Sequence, residues 1–263
     1  MTYNPFAELS ATIPAAAMQA YVVLMFILVV AGTLLDVMHK KSAKYFFEHA
    51  KKAEAARTRE VGSGEKVAVL TKTIAHDVLT SAELLSPRRR TAHLLTMYGF
   101  VAFAVTTVIL VFSHASADAS APGIVTTLWH LGALAVCIGG YWFWFVIRVD
   151  VAAEGNPWYR LVRADLFVLS LLATTTFALL WSIAQASGAG ALTTLLFALF
   201  VISSTVLFGG VLWSKFAHMF FKPAAAFQKH LAEADGSMDN LPPPADRPET
   251  FGLGIKREMP RHY

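Results

Sequence analysis

Histidine is the side chain in this sequence with the widest chemical scope, because its imidazole ligates metal ions and exchanges protons near neutral pH. The chain of 263 residues contains nine histidines. Two of them stand where a long apolar stretch begins or ends beside basic residues, His93 in SPRRRTAHLL and His218 in SKFAHMFFKP. This shared pattern predicts that the two imidazoles lie at the same edge of an apolar layer, where both can bind one group.

Five segments are long and apolar enough to form that layer. Hydrophobic residues make up 56% of the chain, charged residues only 15%, and the mean hydropathy is +0.51. This leaves too little polar surface for a water-soluble domain, and about 20 apolar residues cross a bilayer as a helix. The sequence therefore predicts an all-α membrane protein, a five-helix bundle within residues 15–223. The predicted spans are about 15–36, 91–112, 124–148, 164–185 and 191–221.

Basic residues alternate between the connections. Residues 1–14 contain no Lys or Arg, the connection 37–90 contains twelve, and SHASADASAPG after the second span contains none. Seven more basic residues follow Trp213. Because positive charge stays on the cytoplasmic side, the pattern predicts an external N-terminus (1–14) and a cytoplasmic C-terminus in a bacterial inner membrane. The net charge of +4 then reflects orientation and gives no indication of nucleic-acid binding.

Two cytoplasmic segments are predicted to make contacts outside the bundle. The connection 37–90 is read as a helical loop in which Val67, Leu70 and Ile74 share one face, typical of a helix on a membrane surface or a partner. The tail 224–263 is proline-rich yet keeps Phe251 and Ile255. An extended strap that docks a cytoplasmic partner is the prediction for this tail, and a disordered tail is the alternative.

Several kinds of chemistry are disfavoured. The single cysteine, Cys137, cannot hold an iron–sulfur cluster or form a disulfide within one chain. The sequence has no P-loop, no dinucleotide-binding glycine pattern and no nucleophile elbow. Charged residues are nearly absent from the middle of the spans, which disfavours an ion-coupled transporter. No catalytic residue is predicted.

The two histidine segments are typical of a bis-histidine b-type haem. Such a haem needs two imidazoles from different helices at similar depth, and His93 and His218 meet this requirement as axial ligands of the haem iron. Gly99 and the pair 209–210 are expected to leave room for a flat ring. The neighbouring cations, Arg90 and Lys215, are predicted to contact the propionates. The alternative is that both histidines are ordinary interfacial residues.

A second pair, His114 and His130, lies toward the opposite side. His114 follows the second span at the surface, whereas His130 lies about two turns inside the third, roughly 9 Å deep. A haem between them would require one helix to shift along its axis. We therefore predict one haem b per chain and a packed or hydrogen-bonded interior position for His130.

The same segments carry a family resemblance. SKFAHMFFKP and SPRRRTAHLLTMYGF resemble the fifth and second helices of gamma subunits of respiratory nitrate reductase, over roughly residues 15–223. That family has five spans with an external N-terminus and binds two haems. VAFAVTTVILVF and LFALFVISS lack the further histidines that a second haem needs. The basic first connection and FGLGIKREMPRHY look more like the membrane anchor of dissimilatory adenylylsulfate reductase. A related quinone-interacting complex usually carries cysteine-rich cluster domains, which this chain lacks.

The resemblance implies a non-catalytic subunit of a quinone-linked oxidoreductase. The chain would anchor a cytoplasmic iron–sulfur or flavin enzyme to membrane lipid and pass electrons to quinone through haem b. Adenylylsulfate reductase acting in sulfite oxidation is the expected partner. The alternatives are a haem-free structural anchor and a cytochrome b subunit of another quinone-linked oxidoreductase, with a small-molecule transporter disfavoured.

Overall fold

The computed structural model describes residues 3–39, 42–84, 86–116, 118–150, 155–214, 218–237, 250–251 and 255–256. The fold in these residues is helical. The one sheet among them pairs two-residue strands, β1 (Thr250–Phe251) and β2 (Ile255–Lys256).

Among the described residues, five helices are long and apolar enough to cross a membrane, which confirms the predicted number of spans and the architecture of a multi-pass membrane protein. Two of them carry short extensions: α6 continues as a π-helix over Phe143–Ile147, and a 3₁₀ turn over Arg163–Asp165 leads into α7. The five are α2 (Ala15–His39), α5 (Pro87–Ser113), α6 (Gly123–Trp142), α7 (Leu166–Ala186) and α8 (Ala191–Gly209).

Shorter helices collect at the two ends of the bundle. At one end α1 (Pro5–Leu9) lies beside the end of α5, where Asn4 Nδ2 donates to the His114 carbonyl over 2.9 Å. The other end, called here the basic end, consists of the described residues within 42–86, 148–165 and 210–237. It contains α3 (Ser42–Ala55), α4 (Ser63–Lys72) with a π-helical continuation over Thr73–Leu79, and α9 (His218–Ala234). The compartment that each end faces stays a prediction.

The fifth membrane helix is shorter than the predicted span 191–221. It ends at Gly209, because two successive glycines have low helix propensity, and a 3₁₀ turn over Val211–Trp213 follows. Gly32 of α2 lets this turn approach closely, since a Cβ on Gly32 would lie 2.8 Å from Val211 Cβ. A new helix, α9, then begins at His218, and Pro223 lies inside it instead of ending a span.

Glycines bring α5 and α6 into backbone contact. A Cβ on Gly139 would lie 2.6 Å from the Ala92 carbonyl oxygen, and one on Gly99 would lie 2.8 Å from the Gly132 carbonyl oxygen. Small residues allow such close packing between membrane helices. The expectation that Gly99 leaves room for a cofactor is therefore wrong, because α6 already occupies the space beside it.

Aromatic rings fill the interior near α1. Trp129 and Trp181 are fully buried, and the Phe6 ring lies 5.8 Å and 5.4 Å from their ring centroids. Trp181 also stacks on Phe200 at 5.6 Å, and Trp129 Nε1 donates to Thr107 Oγ1 over 2.9 Å. The N-terminal helix thus closes one end of the bundle with a side chain from outside the spans.

The glycine contact predicts a sharp difference between two identical substitutions. Gly139→Ala places a methyl group against the Ala92 backbone, so the helices must separate at a cost of about 1–3 kcal/mol. Gly209→Ala is the matched control, because the nearest side-chain atom to its Cβ would be Leu28 Cδ1 at 3.8 Å. The thermal unfolding midpoint of the detergent-purified protein, followed by tryptophan fluorescence, should fall for Gly139→Ala alone. Equal midpoints would contradict the close packing.

Candidate functional site

His93 lies in the second turn of α5 and is exposed. Its neighbour Ala92 is buried against α6, which turns His93 away from that helix. Phe100, seven residues later, shares the face of His93. The Phe100 ring lies 6.4 Å from the Phe208 ring on α8, so this face of α5 points toward α8.

His218 is the first residue of α9, and its side chain lies outside the part of the structure that is described. Phe221 follows one turn later and packs against an aliphatic cluster. Phe100 and Phe208 pack against the same cluster from α5 and α8. We call it the basic-end cluster; it consists of Val136, Leu171, Leu207 and Val211. The structure therefore brings both histidine-bearing helices to one apolar cluster at the basic end.

Of the two residues predicted to contact the propionates, the structure describes Arg90 and not Lys215. Arg90 Nε donates to the Thr80 carbonyl over 2.7 Å, which holds this guanidinium at the connection before α5. Lys215 lies outside the described residues, as do the two residues after it. The role predicted for each of them stays a prediction.

The imidazole of His93 on α5 and the nearby basic-end cluster are compatible with a haem site, but Gly99 and Gly210 do not provide the predicted space. Gly99 faces α6, and a Cβ on Gly210 would lie 2.5 Å from the Val206 carbonyl of the preceding turn. Gly209 alone keeps ordinary van der Waals space. Within the residues that the structure describes, no three His, Cys, Asp or Glu side chains come together as a metal site made by protein ligands alone.

The remaining histidine pair lies elsewhere. Both ring nitrogens of His130 are engaged, Nδ1 with the Thr126 carbonyl at 2.7 Å and Nε2 with Ser182 Oγ at 2.8 Å. This is the hydrogen-bonded interior position predicted for His130. His114 caps the end of α5 beside α1. The number of haems stays a prediction.

An ionic cluster that the sequence analysis missed joins α9 to the connection between the first two spans. His230 Nε2 lies 2.7 Å from Asp77 Oδ2, and its Nδ1 lies 3.1 Å from Glu233 Oε2. His76 Nδ1 lies 3.0 Å from the other oxygen of Asp77. A histidine that meets carboxylates at both nitrogens donates from both, as an imidazolium does. The pairs His230–Glu233 and His76–Asp77 are local in sequence, whereas His230 and Asp77 are 153 positions apart.

Backbone contacts strengthen the same junction. The backbone amides of Thr58 and Arg59 both donate to the Asp235 carbonyl, at 3.0 Å and 3.2 Å, just after the end of α9. Lys222 and Glu83 form an exposed ion pair at 3.2 Å. The first part of the predicted extended tail is therefore a helix packed on residues 42–86. Most of the tail beyond residue 237, including Leu253, lies outside the described residues.

The apolar face predicted on the connection is present. Val67, Leu70 and Ile74 are exposed on α4 and its continuation, whereas the neighbouring Thr73 is buried. The three apolar side chains thus remain exposed on the helix surface. A membrane surface or a partner as its contact stays a prediction.

Charge interactions set the ionisation of this junction. Burial disfavours the charged form of His230, but hydrogen bonds to Asp77 and Glu233 outweigh it and raise the pKa of His230. Burial likewise disfavours the ionised carboxyl of Asp77, but hydrogen bonds from His76 and His230 outweigh it and lower the pKa of Asp77. Both shifts favour the ion pair in the folded chain.

Comparisons with protein-family models, with curated proteins and with solved structures found no match to this chain. The family resemblance of the two histidine segments therefore stays a hypothesis.

The raised pKa of His230 predicts that α9 loosens at alkaline pH. The stabilisation that His230 gives to the folded chain is complete below its unfolded pKa of about 6.5. It is lost as the pH rises through the raised pKa of the folded chain. The stabilisation from Asp77 is present above its unfolded pKa of about 3.8 and is lost only as the pH falls through its lowered folded pKa. Hydrogen-exchange protection of residues 224–236, corrected for intrinsic rates, should therefore be constant below about pH 6.5 and fall as the pH rises above it. A loss of about 1 kcal/mol corresponds to a roughly fivefold fall.

His230→Gln keeps a donor for Asp77 but cannot carry the charge, so its protection should be lower at pH 6 and independent of pH. His39→Gln is the control, because His39 lies at the exposed end of α2. An unchanged pH dependence in His230→Gln would show that another group controls the junction.

Proposed function

We propose that this chain is a membrane subunit that binds one haem b through His93 and His218 and links a redox enzyme to quinone. The observation that carries the proposal is the convergence of the two histidine-bearing helices. α5 through Phe100, and α9 through Phe221, both contact the basic-end cluster. Axial ligands from two helices at one depth are what a bis-histidine haem requires.

The residues of the chain have separate roles in this proposal. The imidazoles of His93 and His218 would hold the haem, and the basic-end cluster with its phenylalanines would exclude water from the site. Arg90 and Lys215 offset the negative charge of the propionates at the surface. A haem bound there supplies reversible one-electron transfer, whose potential depends on ligand type, burial and nearby charge.

The partners follow from the surfaces of the molecule. The large apolar side chains exposed on the five long helices would face lipid, which gives quinone access from the bilayer. A cytoplasmic iron–sulfur or flavin enzyme would dock on the basic end. On the strength of the sequence resemblance, that enzyme is adenylylsulfate reductase, and sulfite oxidation would supply the electrons in a bacterial inner membrane.

The haem proposal is tested by a reduced-minus-oxidised absorption spectrum of the purified chain. The wild-type protein should show a b-type signal at one haem per chain. His93→Ala and His218→Ala should each abolish the signal, since one imidazole cannot hold a low-spin bis-histidine haem. His130→Ala is the matched control within the membrane and should keep it. Loss of half the signal in His130→Ala, or two haems per chain, would contradict the one-haem assignment.

A haem-free structural anchor is the second candidate, and one observation favours it. Gly99, expected beside the ring, is covered by α6. In this case the wild-type protein, expressed with ample haem, gives no b-type spectrum. It would still co-purify with a redox enzyme.

Orientation is tested independently of the haem. We propose that the basic end is cytoplasmic, because the connection 37–90 and the last helix carry most of the basic residues. Green fluorescent protein fused after Glu60 or His230 should fluoresce, and alkaline phosphatase should be inactive there. A fusion after Asp118 should give the opposite result. An active phosphatase at Glu60 would invert the proposed topology.

A further inference from the structure

A buried arginine organises the connection between α6 and α7. Arg148 is 2% exposed, and its Nη1 donates to the Pro157 carbonyl over 3.0 Å. Its Nη2 donates to the Arg160 carbonyl over 2.7 Å and to Asp165 Oδ2 over 2.6 Å. The guanidinium carbon also lies 4.1 Å from the centroid of the Trp144 ring. One side chain thus holds a loop at its start, middle and end.

Asp165 fixes the same loop from its far end. The Asp165 carboxylate that binds Arg148 also accepts the Val162 amide over 2.9 Å. Since these bonds occupy backbone groups on the inner side, the large side chains are displayed outward. Tyr159 is 70% exposed and Leu161 64%, with Trp158 and Val162 exposed beside them. We call residues 155–165 the interfacial loop.

The exposed rings of the loop continue the outer surface of a membrane helix. Tyr141 and Phe145 are exposed on α6 and its π-helical end and stack at 6.1 Å. The Phe145 ring lies 6.5 Å from Trp158, and Trp158 lies 5.7 Å from Tyr159. Four rings therefore run without interruption from the lipid-facing side of a span onto the loop. This continuity places the loop at the level of the last turns of α6.

We propose that the interfacial loop is seated in the phospholipid headgroup layer at the basic end. Trp158 and Tyr159 are residues that concentrate where apolar chains meet headgroups. Leu161 and Val162 contact acyl chains at this level. In water, the apolar patch that they form with the two rings would be unfavourable. The exposed guanidinium groups of Arg160 and Arg163 bind lipid phosphates. The loop thereby fixes the depth of α6 and α7, whether or not the chain binds haem.

Spin labels measure this depth directly. The full chain with Cys137→Ala carries one label at Tyr159→Cys or Leu161→Cys and is placed in nanodiscs of phosphatidylcholine. Accessibility to oxygen, which concentrates in lipid, is compared with accessibility to a water-soluble nickel complex. The controls are Phe26→Cys on the exposed face of α2 and Glu60→Cys in the polar connection before α4. All four positions are exposed, so the label should not disturb folding.

The expected oxygen-to-nickel ratio at positions 159 and 161 is several-fold higher than at Glu60→Cys and approaches that of Phe26→Cys. A ratio equal to that of Glu60→Cys would overturn the proposal. Shielding from both reagents that appears only when a co-purified protein is added would also overturn it, because the loop would then be a protein interface. Asp165→Asn removes the charge that pairs with Arg148. It should lower the oxygen-to-nickel ratio of both labels several-fold, toward the ratio of Glu60→Cys. Unchanged labels would show that Arg148 does not hold the loop.

Discussion

The backbone contact between α5 and α6 is the constraint on which the basic end depends. A helix can lie this close to its neighbour in only a few rotations, because Gly132 and Gly139 meet α5 where a Cβ on either glycine would clash. The contact turns Ala92 inward, and so it turns His93 outward and directs Phe100 toward α8. The position of a candidate haem ligand is therefore set by glycines of the neighbouring helix.

The other candidate ligand depends on a contact of a different kind. His218 starts α9, and α9 is held at its far end by the bonds of His230 with Asp77 and of the Asp235 carbonyl with the backbone of residues 58–59. Burial of a charged pair is favourable only when its hydrogen bonds are made, and His230 makes both of its bonds. Apolar packing of Phe221 then fixes the near end. Two unlike interactions, one apolar and one ionic, thus define how α9 lies against the bundle.

Hydropathy was enough to predict five membrane helices. A long apolar segment in a bilayer must satisfy its own backbone hydrogen bonds as a helix, and the required length follows from the thickness of the bilayer. Features that depend on contacts between distant residues were not predictable in this way. Gly99 and the glycine pair 209–210 were all predicted to leave space beside a haem ring. In the structure Gly99 packs on α6, and the pair ends α8. The span predicted to run to residue 221 ends at Gly209, and Pro223 lies inside a separate helix. The bond between Asp77 and His230 has no local sequence pattern, since the two residues are 153 positions apart in the chain.

The contact of Phe6 with Trp129 and Trp181 has a consequence for the order of assembly. Trp129 lies on α6 and Trp181 on α7, so α1 has no complete docking site until both of these helices have been made and inserted. Because α1 precedes them in the chain, its packing over the aromatic rings is a late step in the folding of the bundle.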